Sequence, residues 1–272
     1  MTIVDLGTGP PLVLIPGIQG RWEWMKPAVD ALSRYSRVIT FSLADEPTCG
    51  GTFDAGRGFD CYVDQVGEAM DQAGLSSAAI CGVSYGGLIA AAFAARHPDR
   101  ASAVVLVGAV PPSWKPDSRI RFYLRAPRLL SPLFCVASVR LYKEIAAATP
   151  GVLQGVAVAV RLGASAVTHM FSPTLMARRV RLTEQLEWLD ELKKVHVPVL
   201  VVTGEPHLER VVPVHLTREY LEIWPHAQSV TLPNTGHLGL ITTPAAFAEP
   251  VARFIAAATQ WRPDSSGLRT SA

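Results

Sequence analysis

Apolar runs recur along the chain and place six strands, at Pro11–Ile15, Arg37–Phe41, Ala78–Cys81, Ala103–Val107, Val197–Thr203 and Ser229–Leu232. Continuous runs of Val, Leu and Ile, without alternating polar residues, are what strands need when both faces of their sheet are covered. The covering layers are expected from the helix-like segments near Trp24–Ser33, Phe59–Gly74, Tyr85–His97, Pro213–Trp224 and Pro244–Thr259. The pattern predicts an α/β fold with a doubly wound, mostly parallel sheet. Thr2–Leu6 is expected to pair antiparallel at its edge.

The alternation stops between Pro111 and Val195, where Leu, Ala and Arg recur at helical spacing and no strand is evident. So long a connection does not fit inside a compact domain, and it reads as a helical insertion. The expected organisation is a core formed by 1–110 and 196–261, an insertion over 111–195 and a disordered polar tail over 262–272. Within the insertion, Gly151–Phe171 is apolar for most of its length, but Arg161 at its centre favours an insertion helix over a membrane span. The insertion holds 13 basic and 6 acidic side chains, against 12 and 17 in the remainder. Its arginines Arg119, Arg121, Arg125, Arg128, Arg178, Arg179 and Arg181 are expected on a solvated face.

Over all 272 residues, 25 Lys and Arg nearly balance 23 Asp and Glu, which gives no electrostatic reason to bind nucleic acid. Met1 leads almost directly into an apolar strand, without the pattern of a signal peptide, so a cytoplasmic location is expected. Cys49, Cys61, Cys81 and Cys135 lack CxxC spacing, and the seven histidines include no HExxH. Neither a metal nor a cofactor is expected.

The stretch "CGVSYGG", Cys81 to Gly87, carries the most chemistry. A strand ends, Gly82-Val83-Ser84-Tyr85-Gly86 turns the chain, and an Ala-rich helix follows. A serine in so sharp a turn is forced into a strained conformation that exposes its hydroxyl, and the glycines on either side let the neighbouring chains pass closely. The Tyr85 amide, at the helix N-terminus, can donate to a developing oxyanion. A serine hydroxyl needs a base. His237, in "LPNTGHLGL", follows the last strand and falls on a loop at the carboxyl end of the sheet, where α/β proteins build their sites. His97, His169, His196, His215 and His226 have no comparable setting.

These motifs resemble the α/β-hydrolase fold family over nearly the whole chain: "LVLIPG", "GVSYGG", "TGEPHLERVVP" and "TGH" occur in the family's order. The resemblance implies an α/β-hydrolase fold with the 111–195 insertion as a helical cap or lid. It implies a serine hydrolase that cleaves carboxylic esters or lactones of small to medium apolar acyl substrates through a triad and an acyl-enzyme. It also places the second oxyanion amide at Ile18, after Pro16-Gly17, where many members have His-Gly. Gln19, Trp22, Trp24 and Met25 near that loop, with Met170 and Phe171 in the cap, are the expected substrate-pocket residues. Perhydrolysis, acyl transfer or C–C bond hydrolysis with the same triad is the alternative, and ligand reception without catalysis a further one.

The triad acid is the open assignment. By the resemblance it stands after the penultimate strand, shortly before "VVP", which puts it at Glu209. Aspartate is more usual there, and the loop is longer than usual by about two residues, but a glutamate reaches one methylene further. Glu205 and, more remotely, Asp117 are the other options, while His207 is read as a loop residue.

Overall fold

The computed structural model describes residues 1–137, 141–149, 171–184 and 189–260, together with 151, 153, 155–158, 160, 163, 168, 169 and 186. The expected polar tail, Met170, Arg161 and much of Gly151–Phe171 lie outside the described residues. Seven strands form one sheet: β1 (Ile3–Leu6), β2 (Pro11–Ile15), β3 (Arg37–Phe41), β4 (Ala78–Val83), β5 (Ala101–Val107), β6 (Val199–Thr203) and β7 (Gln228–Thr231). Their order is β1-β3-β2-β4-β5-β6-β7, with only β1 antiparallel to its neighbour.

The apolar runs of β2 to β6 are continuous because each of these strands serves two cores, whereas the edge strands β1 and β7 are largely exposed. Successive side chains point to opposite faces of a sheet. Val13, Ile15, Ile80, Val104, Leu106 and Val201 face a layer that includes α2 (Asp60–Gln72) and α3 (Tyr85–Arg96). Leu12, Leu14, Cys81, Val105, Leu200 and Val202 face α1 (Lys26–Leu32) and the helix Pro244–Gln260. Small side chains let α3 lie close to the sheet, and Ala90, Ala91 and Ala92 are wholly buried. The chain leaves β2 for β3 on one side and places β4 on the other. In open α/β sheets ligands bind beyond the carboxyl ends of the strands at such a switch point, which here falls between β2 and β4.

Between β5 and β6 the described residues contain helices and no strand: α4 (Ser118–Arg125), α5 (Pro127–Ala137), α6 (Tyr142–Ala148), Pro173–Thr183 and Leu189–Leu192. Asp117 caps α4 by accepting from the Ile120 amide at 2.7 Å. Among the described residues no helix is long and apolar enough to cross a membrane.

Several boundaries differ from expectation for identifiable reasons. β6 begins at Val199, since Pro198 has no N–H to give the ladder and only its carbonyl pairs, with the Val104 amide. The helix expected near Trp24 starts as a 3-10 turn, Trp22–Met25, before α1. Pro213–Trp224 is two short helices, Val214–Thr217 and Glu219–Ile223. Each is pinned to the segment after β5, by Thr217 Oγ1 on the Ala109 carbonyl and by the Tyr220 hydroxyl on that of Val110. The basic insertion does not solvate all its arginines: Arg179 is fully buried.

Candidate active site

Ser84 stands between β4 and α3 at φ 53°, ψ −117°, a left-handed conformation that costs a residue with a side chain about 1–3 kcal/mol. Backbone bonds hold it there: its amide donates to the Val107 carbonyl at 2.8 Å, and its carbonyl accepts from Gly87 at 2.9 Å. The glycines of the motif are sterically required. A Cβ on Gly82 would lie 2.2 Å from the Gly86 carbonyl oxygen, and one on Gly86 would lie 2.6 Å from those of Ile15 and Pro16. The Tyr85 amide is the first of α3 and so has no carbonyl partner within the helix.

The loop after β2 meets Ser84 at Gly17, where an added Cβ would be 3.4 Å from both Ser84 Cβ and Gln19 Oε1. Ile18 is fixed from outside the loop. Arg179, on the helix Pro173–Thr183, donates from Nη1 to the Ile18 carbonyl at 2.8 Å and is ion-paired through Nη2 with Glu46 at 2.6 Å and through Nε with Asp45 at 3.1 Å. Gly20, at φ +78°, leaves room for this guanidinium, since a Cβ there would fall 2.3 Å from Nη1. No sequence signal separates Arg179 from its exposed neighbours.

His237 follows β7. Its Nδ1 is 3.3 Å from Glu209 Oε2, while Glu209 Oε1 accepts from the amides of Val211 at 2.7 Å and Val212 at 3.0 Å. Glycines bring the two loops together: a Cβ on Gly236 would meet the Leu208 carbonyl oxygen at 2.6 Å. With the proton on Nδ1, directed at Glu209, Nε2 is left as the basic nitrogen. Burial alone would raise the Glu209 carboxyl, but the charge of His237 and the three hydrogen bonds outweigh it and hold the group below the usual carboxylate range. Burial alone would lower the His237 imidazole, yet Glu209 and, less strongly, Glu144 hold it above the ordinary histidine value.

Ser84 and His237 converge on the end of β5. The Ser84 amide is bonded to Val107, and the imidazole lies over Gly108, where a Cβ would come within 3.1 Å of Nδ1. Among the described residues no hydrogen bond joins the Ser84 hydroxyl to His237; such contacts often tighten only with substrate bound. Glu205 serves a different purpose. Its Oε1 accepts from the amide of Asn234, a residue at φ 56°, at 3.0 Å, and its Oε2 lies 3.4 Å from exposed His207. Asp117 is committed to the α4 cap.

Trp24 packs against Phe171 at 6.4 Å between ring centroids and donates from Nε1 to the His169 carbonyl, and Trp22 rests against the α1 core. Met25 is part of that core rather than of an open surface. Sequence reasoning missed Glu144, on α6. Its Oε1 accepts from the amides on either side of His237, those of Gly236 at 2.9 Å and Leu238. Nothing in "YKEIAAA" marks that role.

A family profile described as "Alpha/beta hydrolase family" matches residues 12–249. The provisionally named carbamate hydrolase RutD of Caulobacter sp. (strain K31) is 26% identical over 249 residues, which cover 90% of this chain and 90% of that protein. The 2-hydroxymuconate semialdehyde hydrolase of Pseudomonas sp. (strain CF600) is 33% identical over 113 residues, 38% of each chain. In architecture the chain is similar to the enol-lactonase of Burkholderia xenovorans LB400, with a TM-score of 0.74 and 20% identity across 94% of this chain and 96% of that one.

Proposed function

Since the chain belongs to the alpha/beta hydrolase family, we propose that it is a serine hydrolase that cleaves carboxylic esters or lactones of small to medium apolar acyl groups. Ser84 is the nucleophile, His237 the base and Glu209 the acid that orients it. The observation that carries this reading is Ser84 held in a strained turn after β4 and bonded to the end of β5, over which the imidazole of the His237–Glu209 pair also lies.

Nε2 of His237 takes the Ser84 proton as Oγ attacks the acyl carbonyl. The carbonyl oxygen becomes an oxyanion, which accepts from the Ile18 and Tyr85 amides, a type of stabilisation worth about 3–4 kcal/mol for each donor. The imidazolium then protonates the leaving alcohol, leaving Ser84 acylated. Water deprotonated by His237 attacks the ester, and collapse of the second tetrahedral intermediate returns the serine and releases the acid. Glu209 stays ionised and stabilises the imidazolium throughout. Residues 111–195 form a cap that shapes the acyl pocket, with Gln19, Trp22, Trp24 and Phe171 on its walls.

C–C bond hydrolysis is the second reading, favoured by the 33% identity to the semialdehyde hydrolase. Carbamates are related acyl substrates, in keeping with the name RutD carries. Hydrolysis of a short-chain p-nitrophenyl ester series, compared between the wild type and Ser84→Ala, tests the reading. Loss of hydrolysis in the variant supports it, and an unchanged rate overturns it.

A further inference from the structure

The geometry points to Glu144 as a positioning residue for His237: its carboxylate, carried by α6, clasps the backbone on both sides of the imidazole and ties the inserted helices to the base. This rests on the proposed role of His237.

Three observations converge on it. Glu144 Oε1 accepts from the Gly236 amide at 2.9 Å and from the Leu238 amide, and no residue but His237 separates these donors. The residue is wholly buried on a short helix that is otherwise half-exposed or exposed, so the chain has taken a carboxylate out of water for this contact. The contact spans 92 residues between Glu144 and Gly236, joining two segments that only tertiary structure brings together. A buried carboxylate without a cationic partner costs free energy unless donors satisfy it. Here the donors are two backbone amides of the histidine loop, while Oε2 has no partner among the described residues.

The consequence is both geometric and electrostatic. With both flanking peptides held, the imidazole keeps one orientation toward Glu209, which approaches from the loop after β6. The charged and titratable groups acting on His237 are then Glu209 and Glu144, and both favour its protonated form. Burial raises the Glu144 carboxyl, while the two amides and His237 oppose that rise.

Glu144→Ala removes the acceptor, whereas Glu144→Gln keeps an acceptor oxygen and removes the charge. For p-nitrophenyl acetate, Glu144→Ala is expected to lower kcat by up to about a hundredfold, the cost of a slightly misplaced catalytic group. KM should be little changed, and Glu144→Gln should recover most of kcat. A purely structural role would lower Tm without moving the imidazole, so the deciding readout is the His237 pKa. It is measured by NMR of 15N-histidine-labelled full-length protein, with the signal assigned by its absence in His237→Gln. The pKa should fall in Glu144→Gln, and an unmoved value overturns the proposal even where Glu144→Ala does not fold. A folded Glu144→Ala with wild-type kcat also overturns it. The NMR arm needs no substrate: if wild-type protein hydrolyses no ester, the serine-hydrolase reading fails while the clasp is still decided.

Discussion

Glu209 and Glu205 stand four residues apart on one loop, yet only Glu209 reaches His237, its Oε2 lying 3.3 Å from Nδ1, while Glu205 turns to the amide of Asn234. The loop folds back on itself, the amides of Leu208 and Glu209 both bonding to the Glu205 carbonyl. One acid therefore faces His237 and the other braces the turn before it.

Exchanging each acid for its amide should separate them. Glu209→Gln is expected to lower kcat by up to about 10⁴-fold, because an amide beside Nδ1 no longer selects the tautomer or stabilises the cation. Glu205→Gln keeps an acceptor for Asn234 and should leave kcat close to wild type. Steady-state kinetics of both variants checks this; a large loss in Glu205→Gln alone would reverse the assignment.

The imidazole must be neutral to act as a base, and Glu209 holds its pKa above the ordinary value of about 6.5. Activity should therefore rise with pH through an apparent pKa on the alkaline side of that value. In Glu209→Gln burial and the weaker influence of Glu144 remain but the stronger Glu209 charge is gone, so the residual activity should rise at lower pH. Profiles of kcat/KM against pH for the two proteins measure the direction.

Arg179 is the cation of a buried cluster with Asp45 and Glu46, and its guanidinium also holds the Ile18 carbonyl. Arg179→Met leaves two buried carboxylates without their counter-charge, a defect of about 3–5 kcal/mol. The expected drop in Tm exceeds about 6 °C, at about 2–4 °C for each kcal/mol in a chain of this size. Adding Asp45→Asn and Glu46→Gln should restore much of it. Thermal melts of the single and triple variants test the cluster, and a single variant that melts like the wild type would contradict it.

The sheet was legible because its signal is local: five or so consecutive apolar residues fit a strand covered on both sides, and the observed strands lie on those runs. The turn around Ser84 was legible because its glycines answer to contacts within a few residues, such as Gly82 against Gly86. What stayed hidden depends on distant partners. Arg179 sits among exposed arginines in sequence, and only the fold brings Asp45 and Glu46 to it across more than 130 residues. Glu144 lies in an Ala-rich helix whose pattern gives no hint of the His237 loop. The family resemblance points to Glu209 over Glu205, and Glu209 is the acid that lies beside His237; how the loop folds back to bring it there is set by the Glu205 carbonyl contacts, which spacing does not encode.

Covalent capture decides whether Ser84 is the nucleophile. Full-length protein treated with a fluorophosphonate, digested and examined by mass spectrometry should carry one phosphonyl adduct, on the peptide containing Ser84. Ser84→Ala should carry none. An adduct on another residue, or ester hydrolysis by wild-type protein that takes up no label, would rule Ser84 out as the nucleophile.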